Sequence, residues 1–164
     1  MNARGGAALT APLFRLQPVT EEDFESMLML RTAAMRDSLE RVGRYTPERS
    51  RERLRAAFQP KYMQHLLAAD GRRMGFVTVQ PEGAGVLRLQ HLYLHPDWQG
   101  GGIGAAVLGW VQEQARREGA VLRVTALQHS GANRFYQRHG FVQTGAEGVD
   151  VHYEWRAATL KAAA

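Results

Sequence analysis

Residues 92–115, LYLHPDWQGGGIGAAVLGWVQEQA, run from an extended apolar stretch into a glycine loop and then into an amphipathic helix. A helix start leaves its first backbone N–H groups unpartnered and carries the positive end of the macrodipole, so such a junction is a ready anion site. Glycines at 100, 101, 102 and 104 remove the side chains that would hold a bulky pyrophosphate away from those N–H groups. The glycine count alone says little. The spacing Gln99-x-x-Gly102-x-Gly104, directly after an apolar strand and Pro96, is more specific.

That spacing resembles the Q/R-x-x-G-x-G/A pyrophosphate loop of the GNAT superfamily of acyl-CoA-dependent N-acyltransferases. A second block agrees with it: Ala132, Tyr136, Gly140 and Phe141 in ANRFYQRHGF are similar to the family's A-x-x-x-Y-x-x-x-G-F segment. The detailed resemblance covers residues 86–145, and agreement in element order extends it to about 13–157. It implies an α/β fold whose central, mostly antiparallel mixed sheet of about six to seven strands is flanked by helices. It also implies acetyl-CoA as co-substrate and direct acetyl transfer to a primary amine, with the glycine loop (Gln99, Gly100, Gly101, Gly102, Ile103, Gly104, Ala105) on the pyrophosphate. Backbone groups near Leu92 and Leu94, where the strand splays from its neighbour at a bulge, would pair with the pantetheine arm and meet the oxyanion. Tyr136 would protonate the departing thiolate. Asparagine often stands seven residues before this tyrosine in the family; here His129 occupies that place, and either it or Asn133 would make the contact with the cofactor. Arg138 is the candidate for the 3′-phosphate.

The residues themselves supply the remaining candidates. In the strand Val86–His95, Leu92 and Leu94 point one way, while His91 and Tyr93 point the other, toward the opposite surface. His91 is the leading general-base candidate because imidazole titrates near the operating pH. His152, Glu154, Tyr93 or a relayed water are its competitors. Arg31, Arg36, Arg44 and Tyr45 fall on the first helix and the loop after it, the wall of the acceptor site in the family, where arginine suits a carboxylate through a bidentate fork; Tyr93 is placed with them. His95 and His139 have no partner at metal-ligand spacing, so no metal is expected.

The element pattern is consistent throughout. Leu13–Leu16 reads as a strand, and Thr20 caps a helix with Glu21, Glu22 and Asp23 in its first turn and Phe24, Met27, Leu28 and Leu30 as apolar positions, ending near Gly43. Thr46-Pro47 opens a second helix to about Phe58. Segments 62–68, 74–80 and 86–95 form an antiparallel meander. A helix over 103–119 buries Ile103, Ala106, Val107, Trp110, Val111 and Gln114, and ends at Gly119. Strand 122–126, a short helix 131–139 and the strands 142–144 and 149–155 close the fold.

At 164 residues the chain is one domain on the usual prior, 13–157, between a flexible N-terminus (1–12) and a tail (158–164). With no cysteine there is neither a disulfide nor a thiol nucleophile, and no G-x-S-x-G elbow supports an acyl-serine route. The same lack, with no signal-like segment, suggests a cytoplasmic protein. No apolar run approaches the roughly 20 residues of a membrane span. The net charge of +5 is carried almost wholly by arginine interspersed with acids, which reads as a solvated surface and not as a nucleic-acid tract.

Two rival readings meet obstacles in the same residues. Gly100-x-Gly102-x-x-Ala105 superficially fits a dinucleotide fingerprint, but a meander precedes the loop and Thr125-Ala126, not an acid, closes the next strand. A non-catalytic acyl-CoA-binding or protein-interaction module should show a damaged loop or a lost tyrosine, and neither is present. The acceptor stays open between a small-molecule amine and a protein amine. Members of the family often form homodimers, so a homodimer is an open expectation for this chain.

Overall fold

The computed structural model describes residues 12–158; the expected N-terminal segment and C-terminal tail lie almost wholly outside them. Seven strands form one sheet in the order β1-β2-β3-β4-β5-β7-β6. They are β1 (Arg15–Pro18), β2 (Met63–Leu67), β3 (Arg73–Pro81), β4 (Val86–Leu94), β5 (Val121–Leu127), β6 (Val142–Glu147) and β7 (Asp150–Trp155). Every neighbouring pair is antiparallel except β4 and β5. The α/β class and mostly antiparallel sheet therefore stand as expected.

The helices start and stop where their chemistry dictates. Glu21–Asp23 form a 3-10 turn that leads into α1 (Phe24–Arg41), and the Thr20 N–H donates to Asp23 Oδ2 at 2.9 Å. Thr46 caps α2 (Pro47–Ala56), its hydroxyl accepting from the Arg49 N–H at 3.0 Å. Next, α3 (Ile103–Glu118) ends on Gly119 in the left-handed conformation. Finally, α4 (Ala132–Arg138) is short. None of the described helices is long and apolar enough to cross a membrane.

Two apolar clusters sandwich the sheet. Phe24, Met27 and Leu28 of α1 and Leu54 of α2 pack with Met63 and Phe76 on one side. Val107, Leu108 and Val111 of α3 pack with Leu87, Leu89 and Leu122 on the other. The buried stripe of α3 is Ile103, Val107, Leu108, Val111 and Ala115, so the expected stripe is rotated. Ala106, Trp110 and Gln114 are only half-buried, because the helix presents its Leu108–Ala115 side to the strands.

A bulge in β4 sets up everything that follows. Thr78 faces His91, but the next pair is Val79 with Leu89, which leaves Gln90 as an extra residue. One extra residue reverses the side-chain phase of a strand. Leu87 and Leu89 before the bulge and Leu92 and Leu94 after it thus pack toward the α3 cluster, and His91 and Tyr93 turn to the α1 side beside Phe76. Further along, β3 runs so close to β4 that a Cβ at Gly75 would sit 1.9 Å from the Tyr93 carbonyl oxygen. Only glycine fits there.

Candidate active site

The parallel pairing of β4 with β5 spans Val86–Leu89 against Val121–Val124 and then ceases. Beyond it the strands part, and residues 91–94 pair only with β3. A cleft of ≈ 580 Å³ opens at this fork, lined by Leu92 and Leu94 of β4, the glycine loop, and Phe135 and Tyr136 of α4. Gly100 and Gly102 hold φ of 85° and 83°, a region that L side chains rarely adopt, and nothing lies within 4 Å of a Cβ built on either. The loop is therefore bent by glycine and open for close approach. Gln99 donates from Nε2 to the Leu94 carbonyl at 2.9 Å, tying the loop to the end of β4.

The cleft collects most of the residues expected there. Gln99, Gly100, Gly102, Gly104, Ala105 and Arg138 line it together with Leu92 and Leu94. Ile103 is instead buried in the core, and Gly101 is exposed beside the cleft without lining it. Two other expectations need correction. Asn133 gives its amide to the Leu127 and Ser130 carbonyls at 2.9 and 3.0 Å, and its oxygen accepts from Tyr153 OH at 2.8 Å. Its side chain braces the end of β5 and does not face the cleft. His129 is exposed on a turn at φ 66°, also outside the lining.

Tyr136 is 6% exposed, its ring packed against Phe135, Phe141 and Tyr153. Burial first, and the Tyr93 phenol second, push its pKa above the ordinary tyrosine value. It stays a protonated phenol on the wall of the cleft.

A second pocket of ≈ 310 Å³ adjoins the first and shares Leu89, Gln90, His91, Tyr93 and Thr125 with it. His91 stands at the junction, yet it is 6% exposed where the sequence suggested a surface position. The reason is α1, which lies across this face of β4 and brings Arg31 over the Tyr93 ring at 5.8 Å. His91 Nδ1 is 2.9 Å from Thr78 Oγ1. Burial, reinforced by the nearby Arg31 charge, lowers its pKa to about 3. The imidazole is neutral at physiological pH and does not titrate near it.

Arg31, Arg44 and Tyr93 line this second pocket as expected, but Arg36 and Tyr45 do not. Arg36 is five residues from Arg31, about 140° around the helix. It stacks on Tyr45 at 5.0 Å and pairs with Glu40 at 3.1 Å, on the outer side of α1 and α2. Sequence reasoning missed Arg49, Ser50 and Arg53 of α2, and Arg88 and Asp150 of the sheet. Their signal was faint: Arg49 and Arg53 are one turn apart and Ser50 interrupts the same helix. His152, half-buried on this lining, has Nδ1 3.0 Å from Thr125 Oγ1. Glu154 is engaged elsewhere, bonded to Arg123 at 2.9 Å.

A glycine-bent loop at a helix start thus opens onto a fork between two parallel strands, with a buried tyrosine on its wall. The chain matches the family described as Acetyltransferase (GNAT) domain over residues 34–156. It belongs to the GNAT acetyltransferase family, and is an N-acetyltransferase that takes acetyl-CoA as co-substrate and an amine as acceptor. It is 26% identical over 141 residues to the aminoalkylphosphonate N-acetyltransferase of Salmonella typhimurium, covering 81% of this chain and 88% of that one. Two solved structures share the fold. The PaiA N-acetyltransferase of Thermoplasma acidophilum in complex with coenzyme A superposes with a TM-score of 0.71 at 18% identity, over 88% of this chain and 99% of that one. An acetyltransferase from Thermus thermophilus does so at 0.68 and 20%, over 88% and 97%.

Proposed function

We propose that the forked cleft holds acetyl-CoA, that the adjoining pocket holds a small-molecule amine, and that acetyl transfer occurs directly between them at the His91–Tyr93 junction. The observation that carries this reading is the shared wall of the two clefts, where β4 and β5 part. Bound acetyl-CoA supplies a thioester whose carbonyl carbon accepts the amine and whose sulfur leaves.

The backbone N–H groups of the loop and the start of α3 suit the pyrophosphate, Arg138 suits a phosphate at the rim, and the unpaired edge of residues 90–94 suits the pantetheine amides and the developing oxyanion. Tyr136 donates its phenolic proton to the departing sulfur. A phenol with a raised pKa holds that proton until the thiolate, a strong acceptor, draws on it. His91 presents a neutral Nε2 to the incoming amine and orients it. It is a poor proton store, because a base whose conjugate acid is acidic gains little in transfer. The proton passes instead to His152, which lies half-buried on the same lining with Nδ1 3.0 Å from Thr125 Oγ1. The positive charge of the pocket assists by disfavouring the ammonium form of the acceptor. A cytoplasmic setting, where acetyl-CoA is available, accords with a chain that uses no cysteine.

The test is thiol release from acetyl-CoA across a panel of small amines, with the phosphonate-bearing amine suggested by the Salmonella relative tried first. A protein whose melting point is unmoved by acetyl-CoA and that releases thiol with no amine or peptide N-terminus would sink the reading.

A further inference from the structure

The second pocket is far more basic than its role as an amine site requires. Arg31 is 7% exposed and emerges from α1 at a register otherwise filled by Phe24, Met27 and Leu28. Among the described residues its one hydrogen bond runs from Nη1 to Ser50 Oγ at 2.7 Å, and its guanidinium lies over the Tyr93 ring. A buried guanidinium is costly unless an anion offsets it. No carboxylate does so here. Among the described residues neither Arg31 nor Arg44, Arg49 or Arg53 forms an ion pair, and Asp150 is the only acid on the lining.

Helix α2 sorts its arginines by face. Arg51 and Arg55 turn outward and pair with Glu25 and Glu21. Arg49 and Arg53, one turn apart, turn to the pocket unpaired. Arg88 is satisfied by Glu82 and Thr125. Nor do these charges serve the pyrophosphate. The glycine loop does not line this pocket, and among the described residues Arg138 is the one arginine on the cofactor cleft.

We infer that the acceptor carries an oxyanion, a carboxylate or a phosphorus oxyanion, held by Arg31 with Ser50 as its brace and Arg49 and Arg53 at the rim, so that its amine faces the junction. This rests on the pocket being the acceptor site. Arg31 is then a specificity-determining residue. Its planar fork is matched to two oxygens of the anion, and Ser50 and Tyr93 fix the fork before the acceptor arrives.

Three amines of similar size test it: 2-aminoethylphosphonate, β-alanine and uncharged-tailed ethanolamine. In the wild-type protein kcat/KM for at least one of the anionic pair should exceed that for ethanolamine by roughly 10- to 100-fold, the range of a charge-assisted hydrogen-bonded pair. A larger gain for the phosphonate identifies a phosphorus oxyanion, and a larger gain for β-alanine a carboxylate. Arg31→Met should lower kcat/KM for the preferred anionic amine far more than for ethanolamine, so that the preference falls to within a few-fold of unity, with the acetyl-CoA thermal shift intact. Equal use of all three amines by the wild type would overturn the proposal. So would an Arg31→Met variant that loses anionic and neutral acceptors alike. Should that variant not fold, Arg49→Ala with Arg53→Ala, both exposed, should reduce the preference by roughly 2- to 5-fold, and no reduction would count against it. Binding provides a readout without turnover: with saturating CoA filling the glycine loop, methylphosphonate or acetate should raise the melting temperature of the wild type and not of Arg31→Met. A protein that binds such an anion through Arg31 but releases no thiol with any amine would keep the subsite and overturn the acceptor reading.

Discussion

The proposed cofactor cleft and the proposed acceptor pocket share a wall, yet they are built from different material. The first is made mainly of backbone: a loop bent by Gly100 and Gly102, the start of α3, and a strand edge left unpaired by the fork. Its side chains are mostly apolar or absent, with one arginine at the rim. The second is made of side chains from α1, α2, β4, β5 and β7, and its dominant chemistry is the guanidinium. Backbone donors recognise what every acyl-CoA has in common, and their geometry tolerates little change. Side chains recognise what differs between acceptors, and can be exchanged without disturbing the sheet. A transferase that keeps one co-substrate and varies the other has reason to divide its site in this way.

The division can be attacked first at the chemistry. Tyr136→Phe keeps the packed ring and removes only the proton donor, so kcat should fall by roughly 10²–10⁴-fold with acetyl-CoA affinity and melting temperature nearly unchanged. A tyrosine that merely packs would leave turnover within a few-fold. On the acceptor side, His152→Ala should cost about 10²-fold in kcat, measured with the best amine found. If His152→Ala turns over normally and His91→Gln does not, the base assignment reverts to His91.

Gly102→Asp probes the backbone half. It forces a left-handed φ on a residue with a side chain, and it sets a carboxylate where a pyrophosphate is expected. Acetyl-CoA affinity, read by titration calorimetry, should weaken by roughly 10- to 100-fold, whereas methylphosphonate binding at Arg31 should persist. Loss of both would show that the two halves are not independent.

The two halves also differed in how far the sequence revealed them. Positive-φ positions need glycine, so Gly100 and Gly102 mark the loop in the sequence itself, and ANRFYQRHGF placed Tyr136 on its helix next to that loop. The acceptor pocket leaves no local trace, because Arg31, Arg49, Arg53, Arg88 and Asp150 are scattered over four elements and meet only once the helices dock. Arg36 and Tyr45 were as plausible as Arg49 and Arg53 until packing fixed which face of α1 and α2 meets the sheet. Period-2 alternation correctly set His91 opposite Leu92. It could not say that α1 would bury that face, and burial is what decides the acidity of His91. Asn133 had the right chemistry for a cofactor contact, but the open end of β5 and the Tyr153 hydroxyl claimed it.

The smallest effect concerns stability and tests whether the acceptor pocket keeps its charge as pH falls. The groups around His91 are Arg31 from α1, Thr78 and Phe76 from β3, and Tyr93 from its own strand. None is a carboxylate that would favour imidazolium. With a folded pKa of about 3 and an unfolded value near 6.5, the unfolded chain binds the extra proton first. His91 therefore withdraws stability as pH falls below about 6.5, with the loss continuing toward 3. At pH 5.5 this amounts to about 1.5 kcal/mol, roughly 3–6 °C in melting temperature for a chain of this size. Buried His65, also lowered by burial, adds a loss of the same sign, whereas Asp23 at about 2, whose carboxylate accepts from His65 Nε2, adds its loss only as pH falls below its ordinary carboxylate value, outside this window. The increment specific to His91 is isolated by His91→Gln, which keeps a partner for Thr78: between pH 7.5 and 5.5 the variant should lose less melting temperature than the wild type by that amount. Its turnover, lower throughout, should keep the wild-type shape against pH, because a group that stays neutral over that range contributes no limb. A His91→Gln enzyme whose acidic limb disappears would mean that His91 does titrate there, and that the positive pocket beside it is weaker than its unpaired arginines imply.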